Sequence, residues 1–166
     1  LFSAFINAAD LPGQTLVWIQ SLELSAMGVM AIILLFYIAF GCVFSAFALV
    51  LLTVPVFFPL VAGLGLEVLF DTSPANVLIW FGIVIVVVAE IGQITPPIGM
   101  NVFVLKSMLP DVALSTIFKG IIPFFGADLV RLAIIVLFPA TVLALPDYMD
   151  QIQDYMDAFF ENFPFP

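Results

Sequence analysis

The sequence predicts an all-α integral membrane protein with a hairpin and a discontinuous helix, and three observations carry that prediction. Hydrophobic residues make up 64% of the chain and charged residues 9%, with a mean hydropathy of +1.31. That is the composition of a membrane domain rather than a soluble one. A stretch without any charge covers 43 residues, 24–66. As one straight helix it would be about 64 Å long, roughly twice the ~30 Å hydrocarbon core, so it turns back on itself. Finally, the apolar run 77–105 is interrupted by Thr95-Pro96-Pro97.

The formal net charge is −9, yet most of the acids lie outside the apolar runs. No basic patch is present, so nucleic acid is not an expected partner. The chain has no His, which excludes histidine metal sites and His-based triads. Its single Cys42 excludes an intrachain disulfide. It begins Leu-Phe-Ser, without Met, and reads as the C-terminal part of a longer protein.

Residues 1–10 read as the end of a preceding membrane helix, closed by Asp10-Leu11-Pro12-Gly13. Residues 11–24 read as an interfacial helix, with Trp18 at headgroup level; a loop with one helical turn fits equally well. Residues 25–66 form the membrane hairpin. Its turn falls in Phe40-Gly41-Cys42-Val43-Phe44-Ser45-Ala46, where Gly and Ser cluster at the right depth. Pro55 and Pro59 bend the second arm. Residues 67–76 are polar and read as an external loop. Residues 77–109 are the discontinuous helix, and 110–120 a cytoplasmic connector. The lysines Lys106 and Lys119 put that connector on the cytoplasmic side. Residues 121–146 are the last span, and 147–166 an acidic tail. In the tail Tyr148, Met149, Ile152, Tyr155, Met156 and Phe159 recur at helical spacing, which suits a surface helix.

The break carries the chemistry. Pro96 and Pro97 lack amide donors, and their rings clash with the preceding turn. Each also pushes its predecessor out of helical geometry. Gly92 and Gly99 flank the break. Freed carbonyls are costly in lipid unless something satisfies them. A buried cation does so, and the Thr95 hydroxyl and Asn101 amide oxygen could complete its shell. Broken helices of this kind mark ion and substrate sites in secondary transporters. The plain alternative is a proline kink without a ligand. Asn101 reads either as a ligand or as a cap of the second half-helix. Glu90 is either a functional intramembrane acid or a scaffold group. Asp128 and Arg131, at i, i+3, form a structural pair, or Arg131 binds an anion. Lys106 reads as a headgroup anchor. Phe57, Phe58, Phe124 and Phe125 read as lipid-facing or packing residues.

The order of hairpin, broken helix, basic connector and last span resembles the large membrane subunit of TRAP transporters, the DctM family. The stretches that carry the likeness are Leu52-Thr-Val-Pro-Val-Phe-Phe-Pro59, Trp80-Phe-Gly82, Glu90-Ile-Gly-Gln-Ile-Thr-Pro-Pro-Ile-Gly-Met-Asn-Val-Phe-Val104 and Gly120-Ile-Ile-Pro-Phe124. The resemblance implies the second inverted repeat of an elevator-type secondary transporter. It implies sodium as the coupling ion, organic anions such as carboxylates as substrates, and no other cofactor. It also implies a small membrane subunit and a periplasmic substrate-binding protein as partners, in a multi-pass protein of the bacterial inner membrane. By the same likeness residues 41–46 are the hairpin tip, re-entering from outside. Gly92, Thr95, Pro96, Pro97 and Gly99 line a sodium site, with Gly41, Ser45 and Asn101 beside them. Ser45 stands near a position that is often acidic in the family, and residues 69–78 look like an insertion.

Enzymatic activity is not expected. No Ser–Lys arrangement shares one depth and no Asp pair lies in an apolar span. No Gly-x-x-x-x-Gly-Lys loop supports ATP-driven transport by this chain. A non-transporting structural or assembly protein with a kinked helix is the alternative.

Overall fold

The computed structural model describes residues 13–14, 24–96 and 98–162. The segment 1–10 lies outside the described residues. Of 11–24, only Gly13, Gln14 and Leu24 are inside them, the first two in helical geometry. Among the described residues every regular element is an α-helix.

Helices α1 (Ala26–Gly41) and α2 (Ala46–Ala62) are the hairpin arms, joined through Cys42–Ser45. Each starts on a serine. Ser25 Oγ accepts from the Gly28 amide, and Ser45 Oγ from the Ala48 amide, both at 3.2 Å. These bonds satisfy amides that a first helical turn leaves orphaned. At 16 and 17 residues the arms are about 24 and 26 Å long, short of a full crossing of the ~30 Å core. Pro55 and Pro59 both sit inside α2 without ending it.

The stretch 67–76, read above as a loop, is largely helical. Helix α3 (Leu66–Phe70) occupies its first part, and helix α4 (Pro74–Ile94) starts before its end. The start of α4 has a local cause. Ser73 Oγ accepts from the Asn76 amide at 3.1 Å, and Pro74 takes the first helical position, where its missing amide costs nothing. Asp71, between the two helices, is left-handed at φ 49°.

Helix α4 is the axis of the bundle. Both hairpin arms pack on it more extensively than on each other, and so does α6 (Leu114–Leu137). Its buried face carries Val77, Trp80, Phe81, Val84, Ile85, Val88 and Ile91. Tyr37, fully buried on α1, shares a hydroxyl–hydroxyl hydrogen bond with Thr53 on α2. Trp80 Nε1 donates to the Ile135 carbonyl at 2.8 Å. Trp80 lies near the start of α4 and Ile135 near the end of α6, so these helices run antiparallel. Phe57 packs against Phe36 and Tyr37, and Phe58 against Phe81. Phe125 lies against the core, whereas Phe124 is exposed.

After the break comes α5 (Met100–Met108). The connector is shorter than the sequence implied, because α6 already begins at Leu114. Polar Ser115, Thr116 and Lys119 lie within its first two turns. Lys106 does not reach out as an anchor. Its ammonium turns back and donates to the carbonyls of Pro110 and Val112, both at 2.7 Å. The last span also closes earlier than 146. Helix α6 stops at Leu137, and after Phe138 and Pro139 helix α7 (Ala140–Asn162) runs through Pro146 and most of the acidic tail. Leu143 is buried and docks the start of α7 on the core. Leu69, Phe70, Asp71 and Thr72 line one cavity with Leu137, Phe138, Pro139, Ala140 and Leu143. The α3–α4 turn and the base of α7 therefore share one end of the bundle.

Candidate functional site

The site is built where the hairpin tip meets the end of α4. Gly41 is the last residue of α1, and Gly92 lies in the last turn of α4. They touch backbone to backbone. A Cβ on Gly92 would lie 2.7 Å from the Gly41 Cα and 3.2 Å from the Tyr37 carbonyl oxygen. A Cβ on Gly41 would lie 3.1 Å from the Gly92 Cα. A side chain at Gly92 would force the backbones apart and one at Gly41 would crowd them, so the glycine pair permits this approach, as at close helix crossings in membranes.

Helix α4 ends two residues later. Thr95 turns extended at φ −81°, ψ 133°, while its amide still reaches the Gly92 carbonyl. The Thr95 hydroxyl donates to the Ile91 carbonyl at 2.6 Å. Its lone pairs stay available. Gly99 then adopts φ 56° and opens α5. It lies under two carbonyls of the broken end. A Cβ at Gly99 would be 3.2 Å from the Thr95 oxygen and 3.3 Å from the Gln93 oxygen. Two main-chain oxygens thus converge on buried Gly99. They stand at the negative end of the α4 dipole, while α5 begins at its positive end.

The residues expected at an ion site are partly brought together. Gly41 with Gly92, and Thr95 with Gly99, are in contact. Ser45 is exposed and its Oγ is committed to capping α2. Pro96 is exposed. Asn101 is exposed on the first turn of α5, whose cap position is held by Gly99 rather than by an amide side chain. Pro97 lies outside the described residues. Sequence reasoning missed Gln93, whose carbonyl helps form the oxygen pair; a residue that contributes its main chain leaves no side-chain signature. It also missed the Tyr37–Thr53 bond, which ties the two arms below the tip. The expected Asp128–Arg131 pair forms at 3.1 Å on α6.

An all-helical apolar bundle around a broken helix, with helix-end oxygens gathered at the break, is the architecture of a membrane transport component. The chain belongs to the DctM component family of the tripartite ATP-independent periplasmic transporters, whose family model matches residues 1–141. It is therefore a membrane protein of a transporter family, not of an enzyme family. It is 30% identical over 149 residues to the C4-dicarboxylate TRAP transporter large permease protein DctM of Pseudomonas aeruginosa, covering 90% of this chain and 32% of that protein. It is 32% identical over 148 residues to the ectoine TRAP transporter large permease protein TeaC of Halomonas elongata, covering 88% and 32% respectively. To the sialic acid TRAP transporter permease protein SiaT of Haemophilus influenzae it is 29% identical over 145 residues, covering 87% and 20%. The chain thus spans about a third or less of the length of these relatives. No solved structure matches it significantly.

Proposed function

We propose that the chain is the C-terminal part of the large membrane subunit of a sodium-coupled, ATP-independent tripartite importer of organic anions, in the bacterial inner membrane. In this reading it is the second of two inverted repeats of an elevator-type transporter. A small membrane subunit and a periplasmic substrate-binding protein complete the system. The observation that supports the reading is the pair of main-chain oxygens, of Gln93 and Thr95, gathered close to Gly99 at the broken end of the helix that also carries the Gly41–Gly92 contact.

The physical logic is linkage. Carbonyl oxygens at the end of α4 suit a hard cation, and the first amides of α5 suit an anion. A sodium ion held at the break neutralises the helix-end oxygens and fixes the geometry between the half-helices. Because the hairpin tip rests on Gly92, three residues before Thr95, ordering the break also orders the tip. An anionic substrate then finds its site formed only when sodium is bound, which is coupling between the two ligands. The solutes in the names of the relatives, C4-dicarboxylates, sialic acid and ectoine, all bear a carboxylate. That supports carboxylates as the substrate class. Sodium is cargo here, and no further cofactor is invoked.

The test is the melting temperature of the full-length parent in sodium chloride against choline chloride at equal ionic strength. A ligand at one hundred times its Kd adds about 2.7 kcal/mol. A sodium-specific rise that Thr95→Ala reduces is the expected result. Equal melting in both salts, together with sodium-independent uptake by the assembled system, would overturn the reading.

A further inference from the structure

Beside the tip the structure holds a groove whose side chains the proposed coupling does not use. Ala46, Phe47 and Val50 of α2 form one wall. Val86, Ala89, Glu90 and Gln93 of α4 form the other, around a cavity of about 270 Å³. Its rims are strongly exposed, with Phe47 at 76% and Val86 at 51%. Alanines on both walls keep the groove open to a close neighbour, the pattern by which membrane helices approach one another.

Glu90 and Gln93 stand one helical turn apart on the α4 wall. Among the described residues neither side chain makes a hydrogen bond or an ion pair. Glu90 lies on a helix long and apolar enough to cross a membrane. Glu90 is exposed in the chain by itself, four residues before the end of α4; once that face is covered by a neighbouring helix, an unpaired ionised carboxylate there is costly. The chain has three basic residues, and two are committed elsewhere. Lys106 holds the carbonyls of Pro110 and Val112, and Arg131 holds Asp128. Lys119 is exposed in the first half of α6, which is not among the helices walling the groove.

We infer that this groove receives a membrane helix from the remainder of the large subunit, and that a basic side chain on that helix pairs with Glu90 and Gln93. The inference rests on the chain being one part of a larger permease. An apolar rim, a small-residue floor and one carboxylate with an amide beside it fit an apolar helix carrying a single Lys or Arg. A carboxylate accepts from either cation, and the Gln93 carbonyl oxygen takes a further donor. A lipid chain would fill the apolar rim but leave the carboxylate unpaired. A second copy of this face would oppose two carboxylates.

The experiment uses the full-length parent in detergent. Glu90→Gln is made, each intramembrane Lys and Arg of the remaining sequence is neutralised singly, and each neutralisation is combined with Glu90→Gln. Melting temperature is read in sodium chloride and in choline chloride. The expected result is that Glu90→Gln lowers the melting temperature equally in both salts. One basic residue should do the same, and the double variant should be no worse than either single change. Gln93→Leu serves as the milder probe if Glu90→Gln does not fold; it should couple to the same basic residue. Coupling to no basic residue overturns the inference. So does an effect of Glu90→Gln confined to sodium, which would give the carboxylate to an ion. Loss of the sodium effect in the unaltered protein would count against the coupling reading and leave this pairing test intact.

Discussion

Replacing Gly92 by alanine tests the tip-to-break contact most directly. The added Cβ would lie 2.7 Å from the Gly41 Cα, 2.9 Å from its carbonyl carbon and 3.2 Å from the Tyr37 oxygen. Favourable carbon contacts lie at about 3.5–4.0 Å, so the hairpin tip must retreat by roughly 1 Å. Nothing flexible can yield, because all three atoms are backbone. Overpacking of this kind costs about 1–3 kcal/mol, against a helix-propensity gain of about 0.5–1 kcal/mol for Gly to Ala. The net expectation is destabilisation of up to about 2.5 kcal/mol, toward the upper end because the 2.7 Å approach is backbone to backbone. Gly82 is the internal control. It lies on the same helix, and a Cβ there meets nothing within 4 Å. Gly41→Ala should fall between them, since its closest approach is 3.1 Å. The assay is thermal unfolding of the full-length parent with and without sodium. The melting temperatures should rank Gly82→Ala above Gly41→Ala above Gly92→Ala, and Gly92→Ala should also show the smallest sodium-dependent rise. If Gly92→Ala melts like Gly82→Ala, the backbone contact does not exist in the protein and the argument for a tip coupled to the break fails.

Two further outcomes follow from the same geometry. Gly99→Ala forces a non-glycine residue to φ 56° with its Cβ 3.0 Å from Val102 Cγ2, and strain at such a position costs of order 1–3 kcal/mol. Sodium-dependent melting should weaken at Gly99→Ala more than at Gly120→Ala, where a Cβ meets nothing within 4 Å. Tyr37→Phe and Thr53→Val each cut the link between the hairpin arms; a double-mutant cycle in melting temperature should show coupling of about 0.5–1.5 kcal/mol, and strictly additive losses would contradict the bond.

Much of this architecture is legible in the chain because it is local. Two consecutive prolines, Pro96 and Pro97, remove two successive amides, a heavier local break than the single Pro55, Pro59 or Pro146 that the helices carry, and α4 stops at Ile94 while α5 opens at Met100. The turn at Cys42–Ser45 lies inside the predicted stretch, since a charge-free run longer than the bilayer has to reverse where Gly and Ser permit. Where polarity stood in for capping, the reading slipped. Glu67, Asp71 and Thr72 suggested a loop, but Ser73 and Pro74 form a helix start that outweighs them. Pro139 and Pro146 both read as exits of the last span; α6 ends just before Pro139, whereas α7 continues through Pro146. Lys106 read as an anchor because free carbonyls in its reach, on Pro110 and Val112, cannot be seen before the connector is folded.

By itself, then, the chain determined the solvent it needs, the number of times it must reverse and the point at which one helix breaks. Bilayer thickness and the absence of proline amides decide those matters within a few residues of sequence. Only the tertiary structure decided that Gly41 meets Gly92, that Tyr37 reaches Thr53, and that Glu90 and Gln93 line a groove with α2. Such pairings select one helix face among many similar apolar ones. The selection comes from steric fit summed over whole helices, and no periodic or local marker in the sequence records it.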